Sequence, residues 1–475
     1  MKWWQPCLAA KKRQNTIKNT NLTLSIADRR LICTMSVATK RGNDQSIRTI
    51  DGSYGEGGGQ LIRNACAYAS ILQQNICLTN IREGRKPKPG LRPQHLVGLQ
   101  ILAEACGGKV ASAQVSNTGK LEEKAVAVGA NKALFLGAPC LKEDPNNERK
   151  KRKRSYFEIV GDTQTAGSVC LLLQAVLPFA LFSNQQAEYK LILKGGTNAT
   201  MAPPIDYFER VFLPTLLKQT NLPENCIQAN VITRGFYPKG GGHVEVTVRP
   251  PVYNNDSGIP WTLSSIQLTE RGVITEIVIR AFAAGTLHAS VAKRLATVAK
   301  TQLENNFATS NTKIIISTDL SYYPNAVGGG CGLLLVAKTS NGHLLGASGI
   351  GSPKVPLEDT ARQATAEMID ILRSGACVDD YLQDQLVLYM ALAQGTSEVI
   401  TDGVTLHTRT AIWVAELLCK GARFEVTKLD EDFDNVNGQS DDAKESVPKK
   451  RGDSHRDGKI PGLHMIRCNG MGFVP

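Results

Sequence analysis

A chain of 475 residues, 42% of them apolar, can bury a large core spread over two or three domains. Its twelve cysteines are scattered, with no C-x-x-C pair and no Cys/His cluster, which excludes a zinc-ligand pattern and a disulfide framework and leaves reduced thiols as the simpler expectation. The net charge of +12 is uneven: residues 1–41 carry nine Lys/Arg against one Asp, the run Arg149–Arg154 ("RKKRKR") adds +6, and the remainder is close to −2. A globally basic surface is therefore excluded, and any nucleic-acid contact must come from local clusters.

In chain order, residues 1–45 lack periodicity and almost lack acid. A targeting presequence, a disordered tail and translation usually starting at Met35 all remain open there. "IDGSYGEGGGQLIRNACAYASIL" then reads as a strand end, a glycine turn and a helix, and "RPQHLVGLQILAEACGG" as a second, amphipathic helix followed by alternating strand-like runs. Around 142–155 a charged insertion follows, whose "RKKRKR" suits either nuclear localisation or a solvated loop.

The same plan recurs in "IVGDTQTAGSVCLLLQAVLPFALF" with "PPIDYFERVFLPTLLKQT", and again in "ITDGVTLHTRTAIWVAELL". The apolar run "VCLLLQAVLPFALF" is interrupted by Gln174 and Pro178 and is shorter than the roughly 20 residues that cross a bilayer, so no membrane partner is expected. The expected architecture is α/β (α+β): three βαβαββ units form a large domain (46–278 and 374–475). A smaller α/β domain, 279–373, with strands in "EIVIRAFA", "KIIISTDL" and "GLLLVAKTS" and helices in "HASVAKRLATVAKTQLEN" and "LEDTARQATAEMIDILR", is inserted in the third unit, and a second charged insertion occupies 429–459.

Several stretches can carry chemistry. Gly55, Gly57, Gly58 and Gly59 precede a helix, where backbone N–H groups can hold a phosphate. Glu56 among them would repel that anion unless a cation intervened, so it is either a Mg²⁺ or Mn²⁺ ligand or a simple helix N-terminal charge. "IREGRKPKPGLRPQHL" concentrates Arg82, Arg85, Lys86, Lys88 and Arg92 with Gln94 and His95 in a proline-stiffened loop, suited to phosphate or merely solvated. "YLQDQL" puts Tyr381 and Asp384 on one helix face. His407, in "LHTRTA", sits where a strand gives way to a helix; from that segment alone it could cap the helix, lie half exposed, or do chemistry.

The nonapeptide "RGFYPKGGG" (234–242), with "DGSYGEGGGQLIR", "KPGLRPQHL", "GGTNATMAPP", "YLQDQL" and "LHTRTA" in that family's order, resembles the RNA 3′-terminal phosphate cyclases over roughly 48–428 and again at "IRCNGMGFVP". The resemblance implies ATP-dependent conversion of an RNA 3′-phosphate to a 2′,3′-cyclic phosphate, with His407 carrying AMP as a phosphoramidate. It further implies metal contact for Glu56 and Asp384, and ATP contact for Gln174, Pro203, Tyr381, Asp384 and Gln385. Arg63, Arg82, Arg85, Gln94 and His95 would hold RNA phosphates, and the extra residue in "KPKPG" puts the contacts of Lys86–Lys88 in doubt. The cyclase-like ribosome-biogenesis branch shares the fold without the nucleophile; His407 in its "LHTRTA" setting argues against that branch. A nuclear location is expected, with cytoplasm and mitochondrion open.

Overall fold

The computed structural model describes residues 34–35, 47–115, 121–137, 156–183, 187–251, 261–309, 313–429 and 458–475. The run Arg149–Arg154, most of 1–45 and most of 429–459 lie outside the described residues. The remainder is mixed α/β.

The first sheet contains β1 (Thr34–Met35), β2 (Ile47–Asp51), β3 (Asn75–Thr79), β4 (Lys109–Val115), β5 (Leu121–Lys124) and β6 (Ala133–Leu136), in the order β1-β2-β3-β6-β4-β5. The second joins β7 (Tyr156–Asp162), β8 (Glu188–Gly195), β9 (Ile227–Thr233) and β10 (Gly242–Val248) as β7-β8-β10-β9. β11 (Gln267–Leu268) belongs to the third sheet, whose other members come after a separate four-stranded sheet of β12 (Ile274–Ala284), β13 (Ile315–Tyr323), β14 (Gly330–Thr339) and β15 (Leu344–Ile350). The third sheet is completed by β16 (Thr396–Val404), β17 (Arg423–Lys428) and β18 (Ile460–Asn469), ordered β11-β16-β18-β17.

In each of the four sheets two strands run parallel, β2 with β3, β7 with β8, β11 with β16 and β12 with β13, and each such pair is joined to later strands that return antiparallel. Parallel neighbours need a crossover. In the first two sheets it is supplied by the helices α1 (Gly59–Ile71) and α3 (Val169–Phe182), with α2 (Pro93–Ala105) between them in sequence. Alternation makes the strands one-sided: β10, "GHVEVTV", buries every second residue.

α3 is different, with all but Leu171 and Gln174 buried, because α1 and α2 flank it and β8 and β10 lie against it. Its apolar run is thus a core helix, and no described helix is long and apolar enough to cross a membrane. "PPIDYFERVFLPTLLKQT" is not one regular helix. It divides into α4 (Ile205–Tyr207), a π segment (Phe208–Phe212) and α5 (Leu213–Gln219). Pro214 has no N–H to continue the α pattern, and the turn widens so that the Leu213 N–H bonds to the Phe208 carbonyl.

Strands β12–β15 pack with α6 (Ser290–Phe307) and α7 (Leu357–Arg373) around a core of their own, running from Ile274 to Leu372. Position 279 lies inside β12. α7 buries Ala361, Ala364, Met368 and Leu372 at helical spacing. The larger core includes α8 (Asp380–Leu392) and α9 (Leu406–Leu418), and α9 packs against both α1 and α8.

Candidate active site

Five helices begin at one place. Residues from the starts of α1, α2, α3, α8 and α9 line a cavity of about 610 Å³, within the usual range of roughly 300–1,000 Å³ for small-ligand sites. Each helix start leaves N–H groups without intrahelical partners and a partial positive charge, so their convergence favours an anion. The cap of α9 is Thr405, whose Oγ1 accepts from the Thr408 N–H at 3.0 Å. His407 is therefore not the cap, and its imidazole stands on the cavity wall.

The glycines before α1 are there for clearance. A Cβ on Gly58 would come within 2.1 Å of Glu56 Oε2, and one on Gly59 within 2.4 Å of His95 Nε2. Gly55, at φ +61°, lets the chain pass against Thr410, whose Oγ1 accepts the Glu56 N–H at 2.9 Å.

One wall is acidic. Glu56 Oε1 accepts the Gln60 N–H at 3.1 Å, while its Oε2 meets the Arg85 guanidinium at 2.5 Å. Asp384 Oδ2 accepts from Gln60 Nε2 at 2.7 Å, and Gln60 Oε1 lies 2.9 Å from His407 Nδ1. Burial pushes the Asp384 carboxyl up to about 8; Arg63 pulls the other way, and Asp380, Asp379 and Glu56 add to the rise. Among the described residues no cluster of three or more His, Cys, Asp or Glu could hold a metal by itself.

The facing wall is cationic. Arg63 Nη2 donates to Gln174 Oε1 at 3.0 Å, and burial lowers the Arg63 pKa from its ordinary value despite the nearby Glu56 and Asp384. Arg82 Nη1 donates to the carbonyls of Gly90 (2.9 Å) and Lys88 (3.3 Å), so this arginine also braces its own loop. His95 Nδ1 accepts the Arg92 N–H at 3.2 Å, which leaves the ring proton on Nε2, the nitrogen close to Gly59. Burial, followed by Arg82, Arg63 and Arg92, brings His95 down to about 3; it faces the cavity as a neutral donor. Gln94 Oε1 accepts the Ser168 N–H at 3.1 Å and ties α2 to α3.

The remaining sites named from the sequence, Pro203, Tyr381 and Gln385, line the same cavity. Tyr381 is braced edge-on by Tyr207, at 5.5 Å between ring centroids, and its carbonyl accepts from Gln385 Nε2 at 2.7 Å. All twelve sequence-named residues are thus brought together. Sequence reasoning missed three neighbours: Gln60, Thr410 and Tyr237. Tyr237, in the middle of "RGFYPKGGG", is 83% exposed at the cavity, and such exposure of an aromatic could not be read from the nonapeptide. Gln60 carries no local signal, since its importance depends on α8 and α9.

A family profile described as RNA 3′-terminal phosphate cyclase matches residues 54–426. The chain belongs to the RNA 3′-terminal phosphate cyclase family. It is similar to the probable RNA 3′-terminal phosphate cyclase of Dictyostelium discoideum, 34% identical over 382 residues that make up 80% of this chain and 78% of that protein. The cyclase of Desulfurococcus amylolyticus is 34% identical over 80% of this chain and 94% of its own, and that of Drosophila melanogaster 32% identical over 80% and 93%. The activity that follows is that of the family: RNA 3′-terminal phosphate cyclase activity, an ATP-dependent ligase reaction in RNA processing. Cyclase names on these relatives do not favour the non-catalytic ribosome-biogenesis reading.

Proposed function

We propose that the cyclase reaction runs through a covalent adenylate on His407 and ends in a 2′,3′-cyclic phosphate. The observation that carries this reading is the position of His407 at the start of α9, inside the cavity where five helix starts converge and hydrogen-bonded toward α1. A helix N-terminus disfavours imidazolium, and a neutral imidazole is a competent nucleophile. A ring nitrogen of His407 forms a bond to the α-phosphorus of ATP while the bond to the bridging oxygen breaks and pyrophosphate leaves. An oxygen of the RNA 3′-phosphate then takes the adenylyl group, breaking the N–P bond and returning the histidine. Finally the vicinal 2′-OH attacks the RNA phosphorus, loses its proton and releases AMP. That last step is intramolecular and has a high effective molarity.

Gln174, Pro203, Tyr381 and Gln385 would hold the nucleotide, and Arg63, Arg82, Arg85, Gln94 and His95 the RNA terminus. Mg²⁺ or Mn²⁺ fits Glu56 and Asp384: both are buried, Asp384 lacks full charge compensation, and such ions complete their shell from substrate phosphates. Bound there, the ion would neutralise the triphosphate and ease departure of pyrophosphate. Arg85 would have to yield its place on Glu56. Domain division at 279–373 and a nuclear location belong to the same reading.

Incubation with α-labelled ATP and Mg²⁺ should give acid-labile, alkali-stable label on the chain. His407→Asn should lose it while keeping the wild-type melting temperature to within a cap-sized loss of about 0.5–2 kcal/mol. Undiminished label on the folded variant would defeat the assignment. Chasing labelled protein with RNA ending in a 3′-phosphate should release the label as AMP, a 2′-deoxy terminal sugar should hold it on the RNA, and a 3′-hydroxyl end should leave it on the protein.

A further inference from the structure

The side chain of Gln60 joins three helices and does so in one polarity. It is the second residue of α1, is 5% exposed, and is held by its own N–H on Glu56 Oε1. Its amide nitrogen donates to Asp384 of α8 at 2.7 Å, so its amide oxygen turns to His407 of α9, 2.9 Å from Nδ1. The Asp384 oxygen it meets accepts whether the carboxyl is ionised or carries a proton on the other oxygen. An amide oxygen has no hydrogen to give. The Nδ1 of His407 must then be the donor, and in the neutral ring the lone pair falls on Nε2.

From this geometry we propose that Gln60 is a positioning residue that sets the tautomer of His407, holding the proton on Nδ1 so that Nε2 is the nucleophilic nitrogen. The proposal rests on the reading of His407 as nucleophile. Left to water, histidine favours the opposite form, with the proton on Nε2, so the nucleophilic arrangement has to be imposed by a partner at Nδ1. A second histidine in the same cavity shows the other choice. His95 Nδ1 accepts a backbone N–H from Arg92, and its proton is on Nε2, where it can donate to an anion. Two imidazoles in one cavity are thus held in opposite tautomers by opposite partners, one as a donor toward phosphate and one as a nucleophile toward phosphorus. Gln60 touches neither reacting atom in this scheme. Its contribution is orientation, transmitted from Asp384 through the amide.

The test uses the full chain with ¹⁵N-labelled histidine rings, and long-range ¹H–¹⁵N correlation at neutral pH without nucleotide. Signals of His407 and His95 are assigned by their loss in His407→Asn and His95→Gln. In the wild type, His407 should carry its proton on Nδ1 and His95 on Nε2. In Gln60→Met, His407 should move toward the Nε2-protonated form while His95 stays unchanged. Single-turnover labelling at saturating ATP should slow at least about tenfold, the lower end of the loss seen when a metal-ligating imidazole is deprived of its orienting partner, with the half-saturating ATP concentration unchanged. Gln60→Glu, whose carboxylate also accepts from Nδ1, should restore the Nδ1-protonated form.

An Nε2-protonated His407 in the wild type overturns the proposal, as does an unchanged tautomer in Gln60→Met, whatever its rate. If Gln60→Met does not fold, the wild-type spectrum and Gln60→Glu decide. Label that survives in His407→Asn would instead sink the nucleophile assignment, and label lost with His407 alongside an Nε2-protonated ring would sink only the role of Gln60.

Discussion

Two buried carboxylates, Asp206 and Asp384, lie in the same protein in opposite electrostatic conditions. Asp206 is saturated: Arg234 grips it with both Nη atoms, at 2.6 and 2.8 Å, Asn198 Nδ2 reaches it at 3.4 Å, and Arg280 Nε stands 3.4 Å away. Burial would raise its pKa, yet the Arg234 bonds, Arg280 and Asn198 hold it below the usual carboxylate range. The Arg234 guanidinium also lies over Tyr323 at 4.6 Å, and so binds α4 and the "RGFYPKGGG" turn to strand β13. Asp384 has Gln60 as its hydrogen-bond donor and Arg63 as an opposing charge, and burial prevails, pushing it up to about 8. The saturated cluster is scaffold; the under-compensated one borders the cavity and has capacity left for a cation or a substrate. A signature that identifies a family can therefore be largely structural. Of "RGFYPKGGG", Phe236 is buried and Arg234 is a clamp, while Tyr237 and Pro238 reach the cavity.

The contrast breaks most visibly at Arg234. Arg234→Met leaves Asp206 charged and buried without its partner and should cost about 3–5 kcal/mol in chemical denaturation. Asp384→Asn exchanges a carboxyl that burial keeps largely protonated at neutral pH for a neutral amide, so it should cost no stability but should depress labelling at limiting metal. Equal destabilisation by the two would erase the distinction. A smaller effect is expected at Tyr237, where an exposed ring beside the basic loop suits base stacking. Tyr237→Ala should weaken RNA binding by about 1–3 kcal/mol and leave melting temperature and self-labelling alone, whereas a drop in melting temperature would make it scaffold as well.

His95 sharpens the comparison through pH. Its folded pKa is depressed to about 3 from 6.5, so its contribution is present above pH 6.5 and is lost as pH falls toward 3. The loss should approach about 1.4 kcal/mol per pH unit, one proton's worth. His95→Gln should flatten the stability profile over that window; an identical slope would mean that the ring is not held neutral. Smallest of all, deleting Arg149–Arg154, which lies outside the described residues, should leave turnover on a short RNA unchanged and alter localisation. A tagged deletion variant still concentrated in nuclei would remove the targeting role.

By itself the sequence determined the elements, because period, glycine turns and apolar runs are local properties, while the list of site residues came from the family resemblance that its ordered motifs carry. The α/β class, the core helix at 169–182 and the two amphipathic helices α6 and α7 follow from those patterns. Motif order was enough to name twelve residues that line one cavity, from Glu56 to His407. Strand β15 escaped notice because "LLGASGI" is too glycine-rich to alternate, and the π segment because a proline's effect depends on how the turn before it can widen.

Only tertiary structure decided which partner each polar group meets. Whether Arg85 faces solvent or Glu56, whether His95 gives or accepts at Nδ1, and whether Gln60 is a bystander or a link depend on atoms that are distant in sequence. His407 and Gln60 are 347 positions apart. The physical reason is that a hydrogen bond has direction and reaches only about 3 Å; no sequence period encodes a donor meeting an acceptor across three packed helices.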